Sequence, residues 1–244
     1  MCKKIHLTTT VSYARSLIVV NIHAMFFRPF AWGQVVVRYY KNLHFAYTDT
    51  LLWTLYLLKN PHRISRAFSK ANLYGETPLT TLDKIAKECR ILSKDVVYEL
   101  GCGTGRTCFW LSHFVKCHAI GIDHVPTYIK RANQIKRISR TSYVNFLCDD
   151  IFKTDFKDAT VIYLYGTAME DEWIKKLVER FETLKPSVRI ITTSYPLSDY
   201  SSNFRTKKTF RGHFPWGRAD IFLNVASQRR AACEEHLQET AHKI

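Results

Sequence analysis

The 244-residue sequence has no uninterrupted apolar run of the ~18 to 20 residues that a membrane-spanning helix needs. Its apolar stretches at 17–27, 30–40 and 45–58 are broken by polar or charged side chains, among them Arg38 and Asp49. A secretory signal is not expected, because the first apolar stretch starts late and no small-residue cleavage site follows it. These segments therefore predict a helical cap on a domain or contact with a membrane surface.

Closely spaced cysteine pairs are also missing. The seven cysteines are scattered, and Cys117-His118 is the only adjacent pair of cysteine and histidine. An odd, scattered set is typical of a reducing compartment, and no metal site is predicted. We therefore expect a cytoplasmic protein, with peripheral attachment to a membrane as the alternative.

Acidic residues are few, 21 against 36 lysines and arginines, which gives a net charge of +15. Such a surface attracts polyanions such as nucleic acid or acidic lipid headgroups, and it repels very basic peptides. No run of five or more consecutive basic residues occurs. An evenly solvated basic surface is therefore the alternative to a dedicated binding face.

The most informative feature is the turn Glu99-Leu100-Gly101-Cys102-Gly103-Thr104-Gly105, which follows an apolar run at 96–100. The pattern predicts a strand, a tight turn and the start of a helix. Glycine lacks a Cβ atom, so the turn can adopt positive φ angles and let a ligand approach the backbone near the positive end of the helix. Similar spacing also occurs in dinucleotide folds and in ordinary turns, so the motif alone is weak.

Two further apolar runs end in acids. The run at 119–123 ends in Asp123, which is suited to hold two ribose hydroxyls, and the run at 144–148 is followed by Asp149 and Asp150. One of these two carboxylates is predicted to accept a hydrogen bond from an adenine amino group. The choice between Asp149 and Asp150 stays open, because a one-residue shift of the strand end reverses which carboxylate faces the cofactor.

With these three strand ends, residues 70–225 resemble the class I S-adenosylmethionine-dependent methyltransferases, whose first motif is an acid-x-Gly-x-Gly-x-Gly pattern. The resemblance implies an α/β three-layer sandwich with a mostly parallel sheet and a terminal antiparallel strand pair, here at 207–214 and 220–225. It implies S-adenosylmethionine as the cofactor. Arg106 and Thr107, which follow Gly105, argue against NAD. The cofactor-binding residues that we predict are Glu99, Gly101, Cys102, Gly103, Gly105, Asp123, Asp149 and Asp150.

Three regions follow from the composition. Residues 1–62 form a hydrophobic and basic N-terminal extension, which is predicted to be helical. Residues 63–227 are predicted to form the methyltransferase domain, and residues 228–244 a polar tail. An amphipathic helix is predicted from residue 79 to residue 89, because its apolar residues recur at helical spacing.

The loop Tyr74-Gly75-Glu76-Thr77 precedes that helix and resembles a loop of the non-SET histone lysine methyltransferases. The layout of this loop, the glycine motif and a hydrophobic N-terminal region is similar to the mitochondrial and bacterial lysine methyltransferases that act on membrane proteins such as ATP synthase subunit c. Glu76 would then pair with the amino group of the cofactor or line the acceptor pocket. The alternative is that Glu76 caps the following helix.

The acceptor is expected at the end of the fourth strand, 161–166. Methyltransferases that act on nucleobase or glutamine nitrogens carry Asn/Asp-Pro-Pro-Tyr/Phe there, whereas this chain has Tyr165-Gly166-Thr167-Ala168, which makes those substrates less favoured. The aromatic candidates for the acceptor edge are Tyr163, Tyr165, Trp173 and Tyr195, with core packing as their alternative role.

These features favour methylation of a protein lysine at or near a membrane, since a +15 enzyme is repelled by a free, highly basic histone-like tail. Glu76, Tyr165 and Tyr195 are the predicted catalytic-site residues. The alternatives are methylation of a small molecule, a lipid or RNA, or a protein that binds S-adenosylmethionine without turnover.

Overall fold

The computed structural model describes residues 39–58, 61, 63, 64, 74–166 and 169–227. The helices are α1 (Leu43–Leu58), α2 (Leu79–Glu88), α3 (Arg106–Trp110), α4 (Pro126–Ser139) and α5 (Asp171–Glu182). The strands are β1 (Val96–Leu100), β2 (His118–Asp123), β3 (Val144–Cys148), β4 (Val161–Leu164), β5 (Arg189–Thr193), β6 (Phe204–Phe214) and β7 (Gly217–Ala226). A π-helical turn, Leu111–Val115, continues α3, and a 3₁₀ turn, Leu197–Asp199, follows β5.

The seven strands form a single sheet in the order β3-β2-β1-β4-β5-β7-β6. The neighbouring pairs from β3 to β5 are parallel, whereas β7 runs antiparallel to both β5 and β6. The mostly parallel sheet with a terminal antiparallel pair confirms the predicted fold class.

The chain reverses its direction across the sheet at β1, which pairs with β2 on one side and with β4 on the other. In open parallel sheets, ligands bind outside the carboxyl ends of the strands at such a reversal. This topology therefore places the glycine turn after β1 and the predicted acceptor segment after β4 next to one crevice.

Two apolar cores cover the two faces of the sheet. On one face α1, α2, α3 and α4 pack against alternate strand residues such as Val97, Ala119 and Val161. On the other face α5 packs against residues such as Tyr98 and Ile162. The alternation follows from the strand period of two, because successive side chains point to opposite faces.

Helix α1 packs against α3 and α4. Its buried side chains include Phe45, Thr48, Asp49 and Leu52, and the ring of Phe45 lies 4.8 Å from that of Phe114. Within the described ranges, no helix combines the length and apolarity needed to cross a bilayer. Residues 1–38 and the tail from residue 228 lie outside the described residues, and the domain boundaries stay predictions.

Candidate active site

The glycine turn has the backbone that its sequence predicts. Gly101, Gly103 and Gly105 have φ angles of +77°, +54° and +83°, a region that side chains with a Cβ rarely adopt. The amides of Gly101 and Cys102 both donate to the carbonyl of Ile122, at 2.8 and 2.9 Å. The turn is thereby held against the end of β2.

Space around the three glycines differs. A Cβ on Gly101 would meet nothing within 4 Å, whereas one on Gly103 would lie 2.8 Å from Cε2 of Tyr74 and one on Gly105 would overlap the ring of Phe146. Gly103 and Gly105 therefore allow close packing inside the protein. Gly101 faces open space at the end of β1, where a ligand has room.

Asp123 is tied to this turn. Asp123 is 6% exposed. Its carboxylate accepts from the amide of Gly103 through Oδ2 and from the amide of Val125 through Oδ1, both at 2.9 Å. Burial raises the pKa of this carboxyl, while the two amides oppose the rise. Because each carboxylate oxygen has two lone pairs, both oxygens retain capacity for ribose hydroxyls.

Asp149 and Asp150 begin the connection from β3 to β4. The amide of Asp149 donates to the carbonyl of Asp123 at 3.2 Å, so the ends of β2 and β3 lie side by side. The carboxylate of Asp149 accepts from Thr154 Oγ1 at 2.7 Å and from the amide of Asp150 at 2.8 Å, and these two bonds lower its pKa. Asp150 accepts from the amide of Phe152 at 2.9 Å. Both carboxylates shape the local turn, and which one meets adenine stays a prediction.

Glu99 and Cys102 lie beneath the turn. Glu99 is buried, and Sγ of Cys108 donates to its Oε2 at 3.1 Å. Burial raises the pKa of Glu99 to about 7, although hydrogen bonds from Thr107 and Cys108 oppose the rise. Cys102 is also buried, and its Sγ lies 2.7 Å from where a Cβ on Gly121 would be. Its side chain therefore packs into the protein.

The loop at residues 74–77 links the glycine turn to the fourth strand. The Tyr74 hydroxyl donates to Glu76 and lies 3.1 Å from Oγ1 of Thr104. Thr77 shares a 2.6 Å hydrogen bond with the hydroxyl of Tyr163 on β4. The loop thus contacts both the predicted cofactor turn and the predicted acceptor strand.

Glu76 does not cap α2, whose first turn has no side-chain cap. Its Oε2 lies 3.5 Å from Nη1 of Arg106, the residue that follows Gly105 and begins α3. The carboxylate is therefore held beside the glycine turn. Of the roles considered from the sequence, this position favours contact with a ligand over capping.

The predicted acceptor residues follow β4. The hydroxyl of Tyr165 accepts from Nε1 of Trp216 at 2.7 Å, and a Cβ on Gly75 would lie 2.6 Å from Cε1 of Tyr165. The hydroxyl of Tyr195 lies 2.9 Å from where a Cβ on Gly166 would be. Tyr165 therefore lies against Gly75 of the 74–77 loop, and Tyr195 lies against Gly166, the residue that follows Tyr165.

The other two aromatic candidates differ in their surroundings. Tyr163 is 2% exposed and belongs to the core. Trp173, near the start of α5, is 44% exposed, and its ring packs 5.1 Å from that of Phe152. Nζ of Lys176 lies 4.7 Å above the same indole. Tyr163 thus supports the loop through Thr77, and Trp173 packs against the connection after β3.

Sequence reasoning missed two features of this region. Arg106 pairs with Asp49 of α1, from Nε to Oδ1 at 2.8 Å and from Nη2 to Oδ2 at 3.1 Å. Trp216 lies in the turn between β6 and β7, half-exposed and stacked on Phe214 with ring centroids 5.4 Å apart. The only sequence signal was a charge inside an apolar stretch for Asp49 and an aromatic residue inside a Pro-Trp-Gly turn for Trp216.

Comparison with known proteins agrees with this geometry. Residues 99–203 match the model of a family described as the ANTKMT methyltransferase domain. The chain is 24% identical over 130 residues to a protein-lysine N-methyltransferase of Saccharolobus islandicus, a match that covers 52% of this chain and 80% of that protein. It is 23% identical over 176 residues to a histone H3 lysine N-methyltransferase of Dictyostelium discoideum, covering 66% of this chain but only 9% of that protein.

Solved structures share the fold. An RNA methyltransferase of Salinibacter ruber in complex with S-adenosylhomocysteine superposes with a TM-score of 0.53 at 22% identity, over 63% of this chain and 95% of that one. A mutant of MtNAS in complex with S-adenosylmethionine superposes with a TM-score of 0.54 at 15% identity, over 81% and 83% of the two chains.

The residues present fit the same cofactor. The open space at Gly101 leaves room beside the turn, and the buried carboxylate of Asp123 retains acceptor capacity for hydroxyls. Its fold, its glycine turn and these matches together support a class I S-adenosylmethionine-dependent methyltransferase.

Proposed function

We propose that this enzyme methylates the side-chain amino group of a protein lysine, at or near a membrane. The observation that carries the proposal is the position of the 74–77 loop, whose Glu76 lies beside the glycine turn while its Thr77 is bonded to β4. A carboxylate between the cofactor turn and the acceptor segment suits a cationic acceptor. The name of the Saccharolobus islandicus relative, a protein-lysine N-methyltransferase, supports the same acceptor.

Lysine methylation needs a deprotonated nitrogen, and the surroundings of the acceptor segment favour it. Bound S-adenosylmethionine supplies a methyl group that is already activated by a positively charged sulfur. The chain therefore has to position the amine and exclude water. Glu76 attracts the incoming ammonium form but also favours its protonated state, so the proton has to leave to water before methyl transfer. The rings of Tyr165 and Tyr195 provide an apolar wall. Loss of hydration beside such a wall lowers the pKa of an amine.

Tyr195 gives further support. Its hydroxyl is buried and has no hydrogen-bond partner in the part of the chain that the structure describes. Buried polar atoms are rarely left unpaired in native proteins. A bound water would satisfy this hydroxyl, and its position next to Gly166 puts Tyr195 at the acceptor segment.

The membrane part of the proposal depends on charge and on the apolar stretches near the N-terminus. A net charge of +15 favours acidic lipid and disfavours a free basic peptide. The stretch at 17–27 and most of that at 30–40 lie outside the described residues. The third, at 45–58, forms most of α1, which packs on the domain.

The acceptor class can be tested by label transfer. Cell extract is incubated with the intact protein and S-adenosylmethionine labelled in its methyl group, and portions are treated with protease, nuclease or organic solvent. We expect the label to be released by protease alone. Label that resists protease and is recovered with RNA, lipid or small molecules would contradict the lysine acceptor.

The same assay provides matched variants at the acceptor segment. Glu76→Gln should lose at least tenfold in label transfer while remaining folded. Trp216→Phe keeps an aromatic ring on Phe214 but removes the bond to Tyr165, so we expect a several-fold rise in KM for the acceptor with unchanged cofactor affinity. Equal activity of Glu76→Gln and the unmodified enzyme would remove Glu76 from the site.

Membrane attachment is tested separately. Because α1 is packed on the domain, the truncation should end at residue 38 and leave α1 in place. Vesicles containing anionic lipid should sediment the intact protein, and a chain without residues 1–38 should stay in the supernatant. Equal sedimentation of the two chains would show that residues 1–38 are not needed for membrane binding.

A further inference from the structure

A small cleft lies between α1 and the 74–77 loop. It is lined by Leu52, Trp53, Tyr56, Glu76 and Arg106. Three of these residues belong to α1, and the other two come from the loop and from the first residue after the glycine turn. The N-terminal helix therefore contributes side chains directly beside the predicted catalytic carboxylate.

The charges around the cleft do not cancel. Asp49, whose side chain is 1% exposed, forms two hydrogen bonds to Arg106 at 2.8 and 3.1 Å. Glu76 makes one longer contact to the same guanidinium, at 3.5 Å. Two carboxylates share one guanidinium, so the cluster carries a net charge of −1. Because Asp49 takes the closer contacts, the remaining negative charge is at Glu76, on the wall of the cleft.

The aromatic walls lie beside this charge. Trp53 and Tyr56 are three residues apart on α1 and therefore lie on the same face of the helix. Their ring centroids are 5.7 Å apart, with an interplanar angle of 52°. Cζ of Arg106 lies 5.8 Å from the centroid of the Trp53 ring, so this indole already faces one cation. Burial and the carboxylate of Glu76 raise the pKa of Tyr56 to about 12, as expected for a phenol close to that carboxylate.

We propose that this cleft binds a primary alkylammonium group, with Glu76 as the counter-charge and Trp53 and Tyr56 as aromatic walls. A carboxylate beside aromatic faces suits such a cation, because the ring faces attract positive charge and the methylene groups pack on the apolar walls. The inference deepens the proposed function, on which it rests for a lysine ligand, since it assigns part of the entry of a lysine side chain to α1. The same chemistry is present in the amino group of the cofactor, so the experiment has to separate the two sources.

The test uses the intact protein labelled with ¹⁵N in its tryptophan indoles, of which the chain has five. The probe is n-butylammonium chloride, with n-butanol as the uncharged control and sodium chloride at matched ionic strength. The indole signal of Trp53 is identified by its loss in Trp53→Phe. We expect a saturable shift of this signal with n-butylammonium but not with n-butanol, and an affinity at least fivefold weaker in Glu76→Gln.

Repeating the titration with saturating S-adenosylhomocysteine separates the sources. If the shift is blocked, the cleft receives the amino group of the cofactor, and if it persists, the cleft receives the lysine of the acceptor. The proposal is overturned if no saturable shift occurs, if n-butanol produces the same shift, or if Glu76→Gln binds n-butylammonium as tightly as the unmodified protein. The titration requires no methyl transfer, so its failure is distinct from failure to detect methyllysine.

Discussion

Asp49 and Arg106 form a two-bond ion pair, with Nε to Oδ1 at 2.8 Å and Nη2 to Oδ2 at 3.1 Å, although they are 57 residues apart in the sequence. Asp49 is on α1, and Arg106 is the first residue after the glycine turn. The side chains are 1% and 12% exposed, so the pair is largely removed from water. Helix α1 is thereby bonded to Arg106, which also contacts Glu76.

Asp49→Ala should lower the free energy of unfolding by about 1.5 to 3 kcal/mol, because Arg106 loses two buried charge-assisted hydrogen bonds and keeps only the longer contact with Glu76. Urea denaturation of the full chain measures this change. Asp83→Ala provides a matched control, since Asp83 pairs with the exposed Lys87 at 2.7 Å within one helix. The control should lose less than about 0.5 kcal/mol. Similar losses in the two variants would contradict a structural role for the buried pair.

Gly101→Ala and Gly105→Ala should fail in different ways. Both positions have positive φ angles, so the backbone strain is shared, at about 1 to 2 kcal/mol. A Cβ on Gly105 would overlap Phe146, whereas one on Gly101 would project into open space. We expect Gly105→Ala to melt at a clearly lower temperature. Gly101→Ala should melt closer to the unmodified protein but bind S-adenosylmethionine at least tenfold more weakly by calorimetry. Normal cofactor binding by Gly101→Ala would refute the assignment of this space to the cofactor.

Asp123→Ala should weaken S-adenosylmethionine binding by roughly 1 to 3 kcal/mol, the cost of leaving hydrogen-bond partners unpaired. The structure adds a second effect, because the amides of Gly103 and Val125 also lose their acceptor. Calorimetry should therefore be combined with a thermal melt, and Asp155→Ala serves as a control at an exposed carboxylate. Unchanged affinity in folded Asp123→Ala would exclude Asp123 from the ribose site.

Glu99 should make stability depend on pH. Its pKa is raised by burial to about 7 in the folded protein, from an ordinary value of 4.5. The folded state thus binds the proton more tightly than the unfolded state, so this contribution to stability is present below pH 4.5 and is lost as the pH rises through about 7. Glu99→Gln cannot ionise and should gain stability relative to the unmodified protein between pH 5 and pH 8. A difference between the two that is constant across this range would show that Glu99 does not titrate as inferred.

The parallel strands were predictable because their signals are local. The apolar runs that end in Glu99 and Leu100, Asp123 and Cys148 each form a strand at the expected place. The glycine turn was predictable for the same reason, because positive φ angles at 101, 103 and 105 require residues without a Cβ. Local patterns therefore identified the fold class and the cofactor turn.

The contacts that complete the candidate site were not predictable, because they join distant segments. Asp49 interrupts an apolar stretch in the sequence, and only the packing of α1 places it beside Arg106. In the sequence, Trp216 is only an aromatic residue in a turn. The pairing of β6 with β7 places it within hydrogen-bonding distance of Tyr165. The helix-capping alternative for Glu76 was physically reasonable, but its contact with Arg106 requires the three-dimensional arrangement.

Lysine methylation is tested most directly by identifying the methylated amino acid. Protein labelled by the intact enzyme with methyl-labelled S-adenosylmethionine is hydrolysed completely in acid, and the amino acids are separated beside standards. We expect the label to co-elute with Nε-methylated lysine and to be at least tenfold weaker when Glu76→Gln replaces the enzyme. Label in methylated arginine or histidine, label released as methanol from a carboxyl ester, or no label in any amino acid, would contradict it.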